Sequence, residues 1–151
     1  MEDNTDQNDK SGSRAFTGER FSKKLSLSQA QISEFALLCG DMNPLHHDPE
    51  IAENSRFKGI IACGPHTLAL FTAMVATHFS LKCQMVGLEF SFCFHTAVKE
   101  NMELLMSWEV VKIEHKDSLN GDIVWLDGVV KGPDGEDVIS SQGKILVTDT
   151  L

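Results

Sequence analysis

Several quick assignments are closed off by what this chain lacks. Its four cysteines, Cys39, Cys63, Cys83 and Cys93, include no Cys-x-x-Cys pair, and their spacing suggests no zinc site. They read as reduced thiols of a cytoplasmic protein. Basic residues are scarce, 13 Lys and Arg against 22 Asp and Glu, and the net charge of −9 argues against a nucleic-acid-binding surface. No apolar run approaches the ~20 residues of a membrane-spanning helix. The N-terminus has no apolar stretch of the kind a secretory signal needs, so none is expected there.

What is present fits one domain. The 151 residues are 42% apolar and 23% charged, enough for a core of ordinary size. Residues 1–18 are polar and rich in Asp, Asn, Ser and Gly, so they are expected to form a disordered tail ahead of a single domain over 19–151.

Strand sequence begins at Phe21–Leu27. Ser28 then looks like a helix N-cap, with Gln31 placed three residues on to complete a capping box. Ile32, Phe35, Ala36 and Cys39 follow at helical spacing, and Gly40 marks the stop. The next stretch, Asp41 to Pro49, holds two prolines and reads as a loop. Asp48 is poised to cap a short helix that starts with Pro49.

Residues 64–79 predict a helix that is apolar nearly all round and must therefore be buried. Four strands follow. Val86, Leu88, Phe90, Phe92 and Phe94 alternate with polar or small residues. Leu104, Met106, Trp108 and Val110 do the same before a slip of phase to Val111 and Ile113, which predicts a bulge. Turns are expected at Asn120-Gly121 and over Gly132–Gly135, and Ile139, Ser141, Gly143, Ile145 and Val147 give the last strand one face. The pattern is α+β, an antiparallel sheet wrapped around a central buried helix.

The chemistry-bearing residues cluster in the loop after the first helix. Asp41, Asn43, His46 and His47 fall within seven residues. A carboxylate and an imidazole together can hold one water and move its protons, which is general acid–base work. Asx-turns account for Asp and Asn in such a loop equally well. Gly64 opens the buried helix, whose free N–H groups and positive dipole end suit a carbonyl oxygen or oxyanion, or simply need a cap. Cys63, beside that helix end, offers a rival nucleophile for acyl transfer or thioester hydrolysis. His46, His47 and Asp48 are adjacent rather than convergent, so no metal is expected. His66, His78, His95 and His115 are scattered and suggest no role.

The run Phe35-Ala36-Leu37-Leu38-Cys39-Gly40-Asp41-Met42-Asn43-Pro44-Leu45-His46 resembles the signature of the MaoC-like, (R)-specific enoyl-CoA hydratases, the hydratase 2 family. The similarity continues through Arg56–Gly64 and covers roughly residues 20–148. The resemblance implies a hot-dog fold, with the 64–79 helix wrapped by the sheet and two such sheets joined edge to edge in a homodimer. It implies hydration of a 2-enoyl thioester to an (R)-3-hydroxyacyl thioester, or the reverse dehydration. Asp41 and His46 would be the catalytic pair acting on water. The Gly64 N–H would bind the thioester carbonyl, and Asn43 would shape the loop or touch substrate.

Thr72 matches a position where some members carry a serine, although a helical Thr often bonds only to its own backbone. Many members have His-Gly where this chain has Cys63-Gly64. Arg56 and Lys58 are placed to meet phosphates of coenzyme A or of a carrier protein's phosphopantetheine, which enter as part of the substrate; no separate cofactor is implied. A hot-dog thioesterase or acyltransferase, or a non-catalytic acyl-thioester-binding domain, are the alternatives.

Overall fold

A computed structural model describes residues 14–150. Its elements run β1 (Arg20–Leu25), α1 (Gln29–Cys39), α2 (Pro49–Asn54), α3 (Gly64–Ser80), β2 (Gln84–Phe94), β3 (Leu104–Lys116), β4 (Gly121–Lys131) and β5 (Asp137–Thr148). A turn of 3₁₀ helix, Pro44–His46, lies between α1 and α2. The five strands form one antiparallel sheet in the order β1-β3-β4-β5-β2. This is the sheet-and-helix arrangement that the motif implies.

Local chemistry sets these boundaries. The Ser28 side chain accepts from the Gln31 N–H while the Gln31 side chain accepts from the Ser28 N–H, so two orphan donors at the start of α1 are satisfied reciprocally. Gly40 ends α1 at φ 80°, a left-handed conformation that costs glycine nothing. Asp48 caps α2 and Pro49 fills its first turn. The phase slip in β3 is a register shift between Val110 and Lys112, leaving Val111 as the extra residue.

The main core lies between α3 and the concave face of the sheet. Phe71, Val75 and Phe79 of α3 meet Trp108, Val110, Val124, Leu126, Ile139, Ile145 and Val147. Trp108 stacks on Phe71 with ring centroids 4.3 Å apart, and its indole N–H donates to the Phe71 carbonyl at 3.0 Å. That bond ties helix to sheet without orphaning a buried donor. Gly128 makes room: a Cβ there would lie 2.5 Å from the Trp108 ring and 2.8 Å from Phe71. A smaller cluster of Leu27, Ile32, Ala52 and Ile60 holds α1 and α2 against the segment that leads into α3.

Two expectations are corrected. The α3 helix is not buried on all sides within one chain: Ala69, Ala73 and Thr77 are exposed, because the sheet covers a single face and small residues line the other. Residues 14–18 of the expected tail are tied to the domain. Ala15 is buried, Gly18 N–H donates to Val110 O, and Arg14 pairs with Asp122 and Asp149, each at 3.0 Å. A few specific contacts hold this stretch where composition alone suggested disorder. The rest of the expected tail, residues 1–13, lies outside the described residues.

Candidate active site

Three elements converge on the loop after α1. The Asp41 N–H donates back to Ala36 O, so the aspartate is fixed by the end of the helix. Its Oδ1 accepts the Asn43 N–H at 3.1 Å, and the Asn43 side chain in turn accepts the Leu45 N–H at 3.1 Å. These are the Asx bonds that the sequence allowed, and they build the turn rather than replace the chemistry. The other carboxylate oxygen, Oδ2, stands 3.3 Å from His46 Nε2.

His46 is buried, at 6% side-chain exposure, whereas Asp41 keeps 34%. The His46 Nδ1–H donates to Ile61 O at 2.8 Å. This bond fixes which nitrogen carries the proton and leaves Nε2 directed at the carboxylate. A donor-acceptor imidazole and a carboxylate oxygen now share one space, half open to solvent, where both can hold a water.

His47 has a role that the sequence did not reveal. Its Nε2–H donates to Asp41 O at 2.8 Å, and its Nδ1 accepts from Ser33 Oγ at 2.9 Å. It therefore braces the aspartate's backbone against α1. Nothing in the spacing distinguishes it from His46; only the return of α1 beside the loop does.

The α3 N-terminus lies beside this loop. Ile61, whose carbonyl holds His46, leads through Ala62 and Cys63 into Gly64, and Cys63 feels the charge of Asp41 and the thiol of Cys39. No described residue accepts the Gly64 N–H. A cavity of about 380 Å³ opens there, lined among others by Ile61, Gly64, Thr67, Phe94 and Val98. A Cβ on Gly64 would meet the Phe94 ring at 2.9 Å, so the close approach at this glycine comes from a residue of the same chain. Larger hollows of about 460 and 500 Å³ lie elsewhere on the sheet, and neither they nor the cavity at Gly64 is lined by Asp41 or His46.

The remaining candidates divide. Cys63 is buried, and that burial pushes its thiol pKa up, so the thiolate a nucleophile needs is disfavoured. The Thr72 hydroxyl donates to Leu68 O at 2.9 Å and Ala69 O at 3.3 Å, the backbone bonding open to any helical threonine. Arg56 and Lys58 are exposed between α2 and α3, and no carboxylate pairs with either among the described residues. Among those residues no three His, Cys, Asp or Glu side chains gather as metal ligands do. No helix there is long and apolar enough to cross a membrane.

A sheet wrapped on one long helix, with an Asp–His pair at the helix's N-terminal end, defines a hot-dog domain of the hydratase and dehydratase kind. The family model described as "MaoC like domain" matches residues 13–124, and the chain belongs to that family. Among solved structures it is similar to the unliganded (R)-hydratase PhaJ1 from Pseudomonas aeruginosa, at 24% identity and TM-score 0.78 over 89% of this chain and 83% of that one. It is also similar to the (R)-hydratase from A. caviae involved in PHA biosynthesis, at 21% identity and TM-score 0.78 over 87% and 96%. A third similar structure is the HadBC (3R-hydroxyacyl-ACP dehydratase) complex from Mycobacterium tuberculosis, at 18% identity and TM-score 0.73 over 86% and 96%. No curated protein matches the chain.

Proposed function

We propose that this protein adds water across the C2–C3 double bond of a 2-enoyl thioester to give an (R)-3-hydroxyacyl thioester, or runs the reverse dehydration. The observation that carries the proposal is the His46 Nε2–Asp41 Oδ2 separation of 3.3 Å, with His46 Nδ1 committed to Ile61 O. A water held against both groups from the open side gives its oxygen to C3 and a proton to Asp41. Negative charge then develops on the thioester carbonyl oxygen, where the Gly64 N–H and the positive end of α3 are the available stabilisers. A proton returned to C2 through His46 completes the addition, so one water is consumed and none of its atoms is lost. No redox step occurs and no separate cofactor enters; coenzyme A or phosphopantetheine belongs to the substrate.

The (R) outcome and the acyl-thioester class rest on family membership and on the hydratase and dehydratase neighbours. Arg56 and Lys58 are proposed to meet the substrate's phosphates. A homodimer is proposed through the free edge of β2, where Val86, Leu88 and Phe94 are exposed.

The test is loss of the enoyl-thioester absorbance with crotonyl-CoA, run beside a free-thiol assay, and repeated with longer chains if crotonyl-CoA is inert. Absorbance loss without thiol release is the expected result. Thiol release would move the protein to the thioesterases, and tight binding without turnover would make it an acyl-thioester-binding domain.

A further inference from the structure

One buried side-chain polar atom in the described residues has no partner, and it lies in the first turn of α3. His66 is 6% exposed and its Nδ1 has no hydrogen bond. A buried nitrogen without a partner lowers stability, and a leucine in its place would fill the same space without that cost.

The position of the ring follows from two helix faces. Phe35 and Cys39 lie four residues apart on one stripe of α1, and Cys63 and His66 lie three apart at the start of α3. The stripes face each other in step: His66 stacks flat on Phe35 with centroids 4.3 Å apart, and Cys63 interacts with Cys39. Cys39 leads directly through Gly40 to Asp41. Helical side chains lean toward the N-terminus of their helix, so the His66 ring is expected on the Cys63–Gly64 side of its own Cα.

That helix end is short of donors. Pro65 has no N–H, and the His66 N–H is already given to Cys63 O at 3.1 Å. Gly64 alone keeps an open backbone donor there, although charge on an oxyanion is best held by more than one.

We propose that His66 is a second donor to the thioester carbonyl, its Nδ1–H completing with the Gly64 N–H the pocket for the charge that forms as water adds to C3. The inference rests on the hydratase reading and adds a residue to that site. Burial lowers the pKa of the ring and keeps it neutral, so it donates without placing a cation in the core.

The experiment compares His66→Leu and His66→Asn with wild type, measuring kcat and KM on crotonyl-CoA and the thermal midpoint. Loss of one oxyanion donor costs about 10²-fold in kcat, so His66→Leu is expected to lose that much, with KM little changed and a midpoint equal to or above wild type. Asn, whose amide nitrogen can sit near the Nδ1 position, is expected to stay within about tenfold of wild type in kcat. A folded His66→Leu variant with wild-type kcat would overturn the proposal and leave the hydratase reading standing. Loss of kcat with a lowered midpoint and no rescue by Asn would make His66 a packing residue. A wild-type enzyme inert on crotonyl-CoA and on longer enoyl-CoA chains would remove the hydratase reading and this proposal with it.

Discussion

Asp41 and His46 are held by different means, and each predicts its own variant. Asp41 is placed through its backbone bonds to Ala36 and His47, which Asp41→Asn leaves intact, and through Oδ1, which accepts the Asn43 N–H and which an asparagine amide oxygen can replace. His46→Ala vacates a buried ring but leaves Ile61 O near a polar loop. Both variants are expected to remain folded by circular dichroism and to lose about 10²–10⁴-fold in turnover, the usual contribution of a general acid or base. Near-normal rates in both would remove the pair from the mechanism. Cys63, buried with its thiol pKa raised, should be alkylated by iodoacetamide well after the exposed Cys39 and Cys93, as read by peptide mass mapping. Cys63→Ser should leave turnover nearly unchanged; abolition would favour the thiol route. At this scale the meeting of Asp41 and His46 was legible, because the two lie five residues apart in one tight loop, and the structure brings their side chains to 3.3 Å. His47, Ser33 and His66 were not legible, since their meaning comes from α1 folding back beside the loop and α3.

The elements were easier to read where a signal is local. The capping box at Ser28, the glycine stop at Gly40, the Asp48-Pro49 start of α2 and the slip of phase at Val111 all appear as the residue pattern implied. The apolar pattern of α3 misled for a physical reason: alanine counts as apolar but exposes little surface, so Ala69 and Ala73 sit in the open at small cost. The second bulge, between Gly87 and Glu89, also escaped, and it leaves Val86 and Leu88 exposed on β2. One tight junction between elements is where β4 passes beneath Trp108 and Phe71. Gly128→Ala forces a methyl group into that contact and should cost about 1–3 kcal/mol. A chain of this size loses about 2–4 °C in midpoint per kcal/mol, so differential scanning fluorimetry would see the change. An unchanged midpoint would mean that the rings shift without cost.

Over the whole molecule, charge pairs join segments distant in sequence. Glu19, which precedes β1, is buried against the far end of α3, where His78 Nε2 approaches its carboxylate at 2.7 Å and the Lys82 ammonium also donates to it. His78 stacks on Phe21 at 3.9 Å, so the clamp also seats β1. Burial pushes the Glu19 pKa up, but the bonds from Lys82 and His78 outweigh it and the net shift is downward. A carboxylate with a lowered folded pKa contributes stability above its ordinary value near 4.5, and that stability is lost as pH falls through the folded value. Asp122, whose pKa burial raises but the bonds from His115 and Arg14 lower by more, acts in the same direction. Urea melts at pH 7 and pH 4 should show an acid-side loss that shrinks in Glu19→Gln, with about 1.5–3 kcal/mol lost at pH 7. Equal pH dependence in the two proteins would show that the clamp contributes little. The small cluster of Leu27, Ile32, Ala52 and Ile60 has a different consequence. The excursion that carries Asp41 and His46 packs on this second nucleus, which meets the main core only through partly buried residues such as Leu25 and Ala62, and it is expected to open as a unit of its own. Hydrogen exchange should then find its amides opening while β3, β4 and β5 stay protected, a division that would let the loop holding Asp41 and His46 yield to the proposed acyl chain without loosening the fold beneath it.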